Sequence, residues 1–201
     1  MANATSTQLQ ELYVAYFGRA ADPTGLDYWT ESGITTAAFA ANMYAQPEFD
    51  SEYGSLSIES QVNQIYINLF DRQADVAGLV YWSQQIRLGN LQLAEIANDL
   101  IWAAQNNSGS ADDKTALTNR TAAAVAYTAK IKETTAGILA YQPLNDGLRA
   151  GSTFVAGDNI TAAKNYLATI DKDTVSTADD IAASVASIVN TGVPTVATAA
   201  K

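Results

Sequence analysis

A short motif occurs twice in the sequence, and each copy contains three side chains of the kinds that bind sugars. The first copy, FGRAADPTGLDYW, occupies residues 17 to 29, and the second, FDRQADVAGLVYW, occupies residues 70 to 82. We name these segments the first corner and the second corner. Proteins bind sugars through aromatic faces and through hydrogen bonds from polar side chains. The glycan-binding candidates are therefore Arg19, Asp22, Tyr28, Arg72, Asp75 and Tyr81.

The same residues have an alternative interpretation that needs no ligand. Asp22 precedes Pro23, which predicts that Asp22 is the N-cap of a helix beginning at Pro23, and Asp75 has the equivalent position in the second corner. Arg19 and Arg72 suit the end of the preceding helix, where a cation meets the negative end of the helix dipole. The corners are then the bends of two helical hairpins.

Glycine and tryptophan also recur in each corner, and we predict structural roles for them. Gly25 and Gly78 carry no side chain where the two helices of each hairpin come closest. Trp29 and Trp82 lie three positions after a leucine, on one helix face, which predicts that they serve mainly the core. The tyrosine before each tryptophan points about 100° away and can reach water.

The apolar spacing around each corner predicts helices and an internal repeat. Apolar residues recur at i, i+3, i+4, i+7 and i+8 from Leu9, and the same face recurs from Val62, shifted by 53 positions. Nine positions are identical over the 18-residue windows that start at Leu12 and Ile65. We expect two equivalent units of three helices, residues 8 to 54 and 57 to 105.

The second half of the chain is rich in Ala and Thr and is also predicted to be helical. The motif Ser110 to Asp113 and the motif Ser176 to Asp179 have capping-box spacing, which predicts helix starts there. No segment has the period of a strand, so the sequence predicts an all-α fold. The expected divisions are the two repeats at 1 to 106, a helical segment packed on them at 107 to 192, and a linker at 193 to 201.

Composition excludes several classes of function. The chain has 201 residues, no Cys and no His, which excludes thiolate and imidazole metal sites and His-dependent catalysis. A net charge of -10 disfavours nucleic acid and anionic membrane surfaces as partners. No apolar run approaches the roughly 18 residues of a transmembrane helix. We predict no catalytic residue, no metal-binding residue and no cofactor in this chain.

The repeated motif resembles a known bacterial family. The pattern L-Y-x-x-x-F-x-R-x-x-D-x-x-G-L-x-Y-W, closed in the first copy by AQPEF at 45 to 49, is similar to the domain-of-unknown-function family numbered 4214. The resemblance covers both repeats, residues 8 to 105. The second copy departs from it by ending in AAQNN and by having Val76 in place of Pro23.

The resemblance implies a setting for the chain. The second half is similar to the segment that follows such repeats in large surface-layer and RTX-type secreted proteins. These proteins leave the cell by type I secretion, and we therefore expect this chain to be the N-terminal piece of a longer protein on the outer face of the outer membrane. The implied function is non-enzymatic attachment to the O-polysaccharide of lipopolysaccharide. Calcium is a candidate for lattice assembly or for bridging to lipopolysaccharide.

Two other functions remain open on the sequence. One is a protein-protein module through which the surface protein forms a homo-oligomeric lattice or contacts an outer-membrane partner. The other is an enzyme that cleaves polysaccharide with two carboxylates about 5 to 10 Å apart, since the chain has 21 acidic residues.

Overall fold

A computed structural model describes residues 2 to 141 and 157 to 190. These residues form α-helices and no strand, so the predicted all-α fold is confirmed. A 3₁₀ helix, Leu93–Glu95, lies between α6 and α7. The predicted linker at 193 to 201 lies outside the described residues. The α-helices are α1 Ser6–Phe17, α2 Pro23–Ser32, α3 Thr36–Tyr44, α4 Pro47–Tyr53, α5 Ile58–Phe70, α6 Val76–Arg87, α7 Ile96–Asn106, α8 Ala111–Lys132, α9 Thr135–Ala140, α10 Asp158–Leu167 and α11 Ala178–Asn190.

The first predicted unit contains four helices, because the AQPEF segment divides its last helical stretch. α3 ends at Tyr44, and Pro47 opens α4 with Gln46 as its N-cap. Proline has no N–H to donate, which makes it a poor continuation of α3 but a suitable first residue of α4. The predicted second unit has a 3₁₀ turn before α7.

Two predicted capping boxes differ from the observed helix starts. Ser110 is the N-cap of α8, but its side chain makes no capping hydrogen bond. The box that precedes α11 is built one residue later than expected, from Thr177 and Asp180. The Asp180 N–H donates to Thr177 Oγ1 at 3.2 Å, and the Thr177 N–H donates to Asp180 Oδ2 at 3.0 Å.

α1 is the most enclosed helix of the first half. Every residue from Leu9 to Phe17 is buried, because α1 packs against α3, α5 and α8 on different sides. One core cluster joins α1 to α3, α5 and α7, and a second joins α8 to α10 and α11. Two polar residues of α1, Gln10 and Glu11, are buried with the apolar ones. Gln10 Nε2 donates to Thr128 Oγ1 of α8 at 3.1 Å.

The second half makes buried hydrogen bonds to the first corner and to the end of α5, just before the second corner. Thr128 Oγ1 donates to the carbonyl of Ala21 at 2.7 Å, and the Tyr141 hydroxyl donates to the carbonyl of Ala20 at 2.7 Å. Arg120 Nε donates to the carbonyl of Asn68, just before the second corner, at 2.8 Å. Buried carbonyls need such partners, so α8 and Tyr141, which follows α9, bond carbonyls of the first corner and of α5 just before the second.

Candidate functional site

In the first corner, Asp22 is the N-cap of α2, as the sequence predicts. Its Oδ1 accepts a hydrogen bond from the Gly25 N–H at 2.7 Å. A Cβ on Gly25 would lie 2.7 Å from the hydroxyl oxygen of Tyr13, closer than a carbon can approach without displacing the ring. The glycine is therefore required by a tyrosine of α1 that packs against the start of α2.

Arg19 is buried in the first corner, with 1% of its surface exposed. Its Nε and Nη2 donate to the two carboxylate oxygens of Glu48 at 2.8 and 2.7 Å, and its Nη1 donates to the Ala20 carbonyl at 3.0 Å. Burial opposes the charged guanidinium, but the Glu48 carboxylate outweighs it and raises the pKa of Arg19. Because Arg19 is enclosed and Asp22 is also buried, neither is placed to contact a glycan at the surface.

The second corner repeats the capping arrangement. Asp75 Oδ1 accepts a hydrogen bond from the Gly78 N–H at 2.8 Å, and Asp75 is the N-cap of α6. A Cβ on Gly78 would lie 2.9 Å from the hydroxyl oxygen of Tyr66, the equivalent of Tyr13. Unlike Asp22, Asp75 is exposed. Its carboxylate therefore remains a surface candidate as well as a cap.

Arg72 keeps the bonding pattern of Arg19 but has a different acidic partner. Its Nε and Nη2 donate to Asp113 of α8 at 2.6 Å each, and its Nη1 donates to the Gln73 carbonyl at 2.9 Å. The glutamate in AQPEF has no equivalent in AAQNN, and Asp113 supplies the missing carboxylate. Sequence reasoning assigned Asp113 to a capping box, and missed the pairing of each arginine.

Each corner presents one exposed tyrosine beside a half-buried tryptophan. Tyr28 is 63% exposed and Tyr81 is 54% exposed. Each ring lies 4.9 Å from its tryptophan, with an angle of 75° between the ring planes in both corners. Trp29 packs against the Phe39 ring at 5.5 Å, while Trp82 Nε1 donates to the Tyr66 hydroxyl at 3.0 Å. The tryptophans contact the core, and the tyrosines face solvent.

The surfaces beside the two tyrosines differ. In the first corner Pro23 is buried, and the Asp27 carboxylate pairs with Lys132 of α8 at 2.6 Å. The equivalent positions on α6 are Val76, which is 80% exposed, and Val80, which is also exposed. α2 thus lies beside α8, while α6 presents apolar side chains to solvent.

A groove between α1 and α7 is a further candidate site that sequence reasoning missed. Its volume is about 520 Å³. Trp102, 62% exposed, lies on its wall. The signal in the sequence was that Trp102 does not share the apolar helical spacing of the residues that α7 buries, which are Ile96, Ala97, Leu100, Ile101 and Ala104. We name this site the α1–α7 groove. Its lining residues are Thr5, Thr7, Gln8, Glu11, Leu12, Thr36, Asn98, Asp99, Ile101, Trp102 and Gln105.

Two carboxyl groups line this groove in unusual electrostatic surroundings. Burial raises the pKa of Glu11 to about 7. Gln105 Nε2 donates to Glu11 Oε1 at 3.4 Å. Partial burial and the neighbouring charge of Glu95 raise the pKa of Asp99. A cationic group that entered the groove would reduce the cost of charging both carboxyls.

Comparison with known proteins gives one match. Residues 40 to 109 match the family described as Domain of unknown function (DUF4214), in one copy. The matched segment begins within α3 and ends after α7, so it contains the second corner and not the first. The comparison with curated proteins gives no match, and neither does the comparison with solved structures.

The described residues offer neither a cluster of metal ligands nor a helix that could span a membrane. Residues 2 to 141 and 157 to 190 contain no group of three or more acidic side chains arranged to hold a metal ion. Over the same residues, every helix is too short or too polar to cross a bilayer.

Proposed function

We propose that this chain is a non-enzymatic attachment domain that holds a secreted surface-layer-type protein on the outer face of the outer membrane. Its ligand is the O-polysaccharide of lipopolysaccharide. The observation that carries the proposal is the pair of exposed tyrosines, Tyr28 and Tyr81, held at equivalent positions by half-buried tryptophans. A tyrosine anchored in this way presents a fixed apolar ring and a hydroxyl group, which together suit a sugar.

Two equivalent aromatic points suit a polymer of repeating units. A ligand that occupies one corner raises the effective concentration of its next units at the other corner, so two weak contacts give a stronger attachment than either alone. Arg72 and Asp75 of the second corner lie 4.0 Å apart with partly exposed side chains, so they can add polar groups for sugar hydroxyls. The first corner relies on its tyrosine, because Arg19 and Asp22 are enclosed.

Charge favours the polysaccharide over the phosphate-rich part of lipopolysaccharide. The net charge of -10 opposes direct contact with phosphate groups. We propose two alternative roles for calcium. It would bridge acidic side chains to the phosphates of lipopolysaccharide, or it would take part in lattice assembly. The secreted, RTX-type setting with type I secretion is proposed from the resemblance of the second half of the sequence to such proteins, since the DUF4214 match is to a family of unknown function.

A self-assembly module is the second candidate, and the exposed face of α6 favours it. Val76 and Val80 lie one helical turn apart and are exposed, and Leu88 is exposed at the end of the same helix. A second copy in a surface array would cover this face. The two candidates differ in the substitutions that should abolish function. Attachment depends on Tyr28 and Tyr81, whereas self-assembly depends on the exposed face of α6.

The experiment compares binding of the purified chain to lipopolysaccharide with and without O-polysaccharide, in calcium and in chelator. We expect binding to require the O-polysaccharide. Tyr28→Ala with Tyr81→Ala should abolish binding, each single change should weaken it, and the matched Tyr→Phe changes should retain most of it. Full binding by the double Ala variant would refute the proposal. If the chain assembles without polysaccharide, and Val80→Asp prevents this assembly, the second candidate is supported. Release of reducing sugar would indicate an enzyme.

A further inference from the structure

The α1–α7 groove contains an aromatic ring that the fold does not use. Trp102 is the most exposed of the three tryptophans, whereas Trp29 and Trp82 pack against the core. An exposed apolar side chain alone is ordinary. Trp102, however, lies on the wall of a concave site of about 520 Å³, which is the size range of small-ligand sites.

The polar lining of the groove offers hydrogen bonds of the type that sugars use. Hydroxyl groups come from three threonines, and amide groups come from Gln8, Asn98 and Gln105. Amides both donate and accept, and hydroxyls do so as well. The Trp102 indole lines the same groove, and polar groups together with an aromatic ring suit a sugar, which has hydroxyl groups on its edge and C–H groups on its face.

The charges of the groove select among saccharides. Glu11 and Asp99 are acidic, and none of the described residues that line the groove is Lys or Arg. Lys114 lies at the rim, where its Nζ donates to the Gln105 carbonyl at 3.4 Å. Two carboxyl groups repel phosphate and carboxylate ligands and attract an ammonium group, which the face of an indole also attracts.

We propose that the α1–α7 groove binds a saccharide that carries a free amine. The Glu11 and Asp99 carboxylates pair with the ammonium group, and Trp102 stacks on the sugar ring. This site lies apart from the two corners and its ligand carries a charge, so the proposal goes beyond attachment through Tyr28 and Tyr81 and is tested separately.

The test is calorimetric titration of the whole chain with two matched ligands near pH 7. One ligand is a tetramer of β-1,4-linked glucosamine, and the other is the same tetramer with every amine acetylated. We expect the free-amine tetramer to bind about tenfold more tightly or better, since acetylation removes the charge. Trp102→Ala should weaken its binding about tenfold. Asp99→Asn, at an exposed position, should weaken it about threefold or more without threatening the fold.

Control variants separate the groove from other surfaces. Val175→Ala changes an exposed apolar residue that lines neither the groove nor the exposed face of α6, so it should bind as the parent does. Thermal melts confirm that each variant is folded. The proposal is overturned if the two tetramers bind equally, if neither binds, or if Trp102→Ala binds as the parent does. If binding is lost in the double Tyr28→Ala, Tyr81→Ala variant but kept in Trp102→Ala, the ligand occupies the corners, which overturns this proposal and leaves the attachment proposal standing.

Discussion

Arg72 donates from Nε and Nη2 to both carboxylate oxygens of Asp113, at 2.6 Å each, across 41 positions of the chain. Arg19 makes the same two-pronged contact with Glu48. The planar guanidinium suits this geometry, which a lysine cannot reproduce. Each corner thus has its own arginine at the equivalent position. The acidic partner comes from α4 in the first corner and from α8 in the second.

Glu48→Gln should therefore cost much more stability than Asp113→Asn. The first change leaves the guanidinium of Arg19 buried without its counter-charge, which costs about 3 to 5 kcal/mol. The second affects an arginine side chain that is 39% exposed, so water compensates and the cost is about 1 kcal/mol or less. Urea melts of both variants measure the difference. Equal costs would contradict the assigned burial of the two pairs.

Asp22→Ala and Asp75→Ala should each lower stability by about 1 kcal/mol, because each removes an N-cap hydrogen bond. Asn retains the capping oxygen, so Asp22→Asn should cost less than Asp22→Ala. Thermal melts run beside a polysaccharide-binding assay test this. If Asp75→Ala melted like the parent but lost binding, Asp75 would be a ligand contact rather than a cap.

Trp29→Ala and Trp82→Ala should destabilise the fold more than alanine at the neighbouring tyrosines. A fully buried tryptophan loses about 3 to 5 kcal/mol on truncation, and these half-buried rings should lose about 2 to 4 kcal/mol. Tyr28→Ala and Tyr81→Ala should cost about 1 kcal/mol or less, as exposed positions do. Urea melts and glycan binding separate the roles. A tryptophan variant that folds normally and loses the glycan would identify that ring as the binding surface.

Glu11→Gln should stabilise the protein in a pH-dependent way. Burial raises the pKa of Glu11 from 4.5 to about 7, so the folded state holds the proton more tightly than the unfolded state does. Stability from this group is complete below about pH 4.5 and falls as pH rises to about 7. At about pH 8 the change should therefore add on the order of 2 to 3 kcal/mol, and at about pH 4 almost nothing. Urea melts at both values test it, and the same gain at both would contradict it.

Features set by neighbouring residues could be predicted from the sequence, and features set by distant ones could not. The caps at Asp22 and Asp75 depend on residues three positions away, and both are observed. The partners of the two arginines lie 29 and 41 positions away, and nothing local distinguishes them among 21 acidic residues. Asp113 had the spacing of a capping box, but the ion pair holds its carboxylate instead.

The features of the candidate sites also differ in whether nearby or distant residues set them. Exposure of Tyr28 follows from its angle to Trp29 on one helix, so periodicity was sufficient to predict it. The enclosure of Arg19 depends on α4 and on Tyr141, the residue that follows α9, as its contacts with Glu48 and with the Tyr141 ring indicate. The α1–α7 groove arises from residues about 90 positions apart, and only the off-face position of Trp102 hinted at it.

The bonds from Thr128 and Tyr141 to the first corner have a consequence for the order of events during synthesis. The carbonyls of Ala21 and Ala20 accept these bonds from donors 107 and 121 positions later. Until residue 141 has been made, the first corner lacks one or both of the donors that its buried carbonyls require. Contacts of such sequence separation also slow folding, because long loops must close first. α1 is therefore synthesised well before the residues that complete its surroundings.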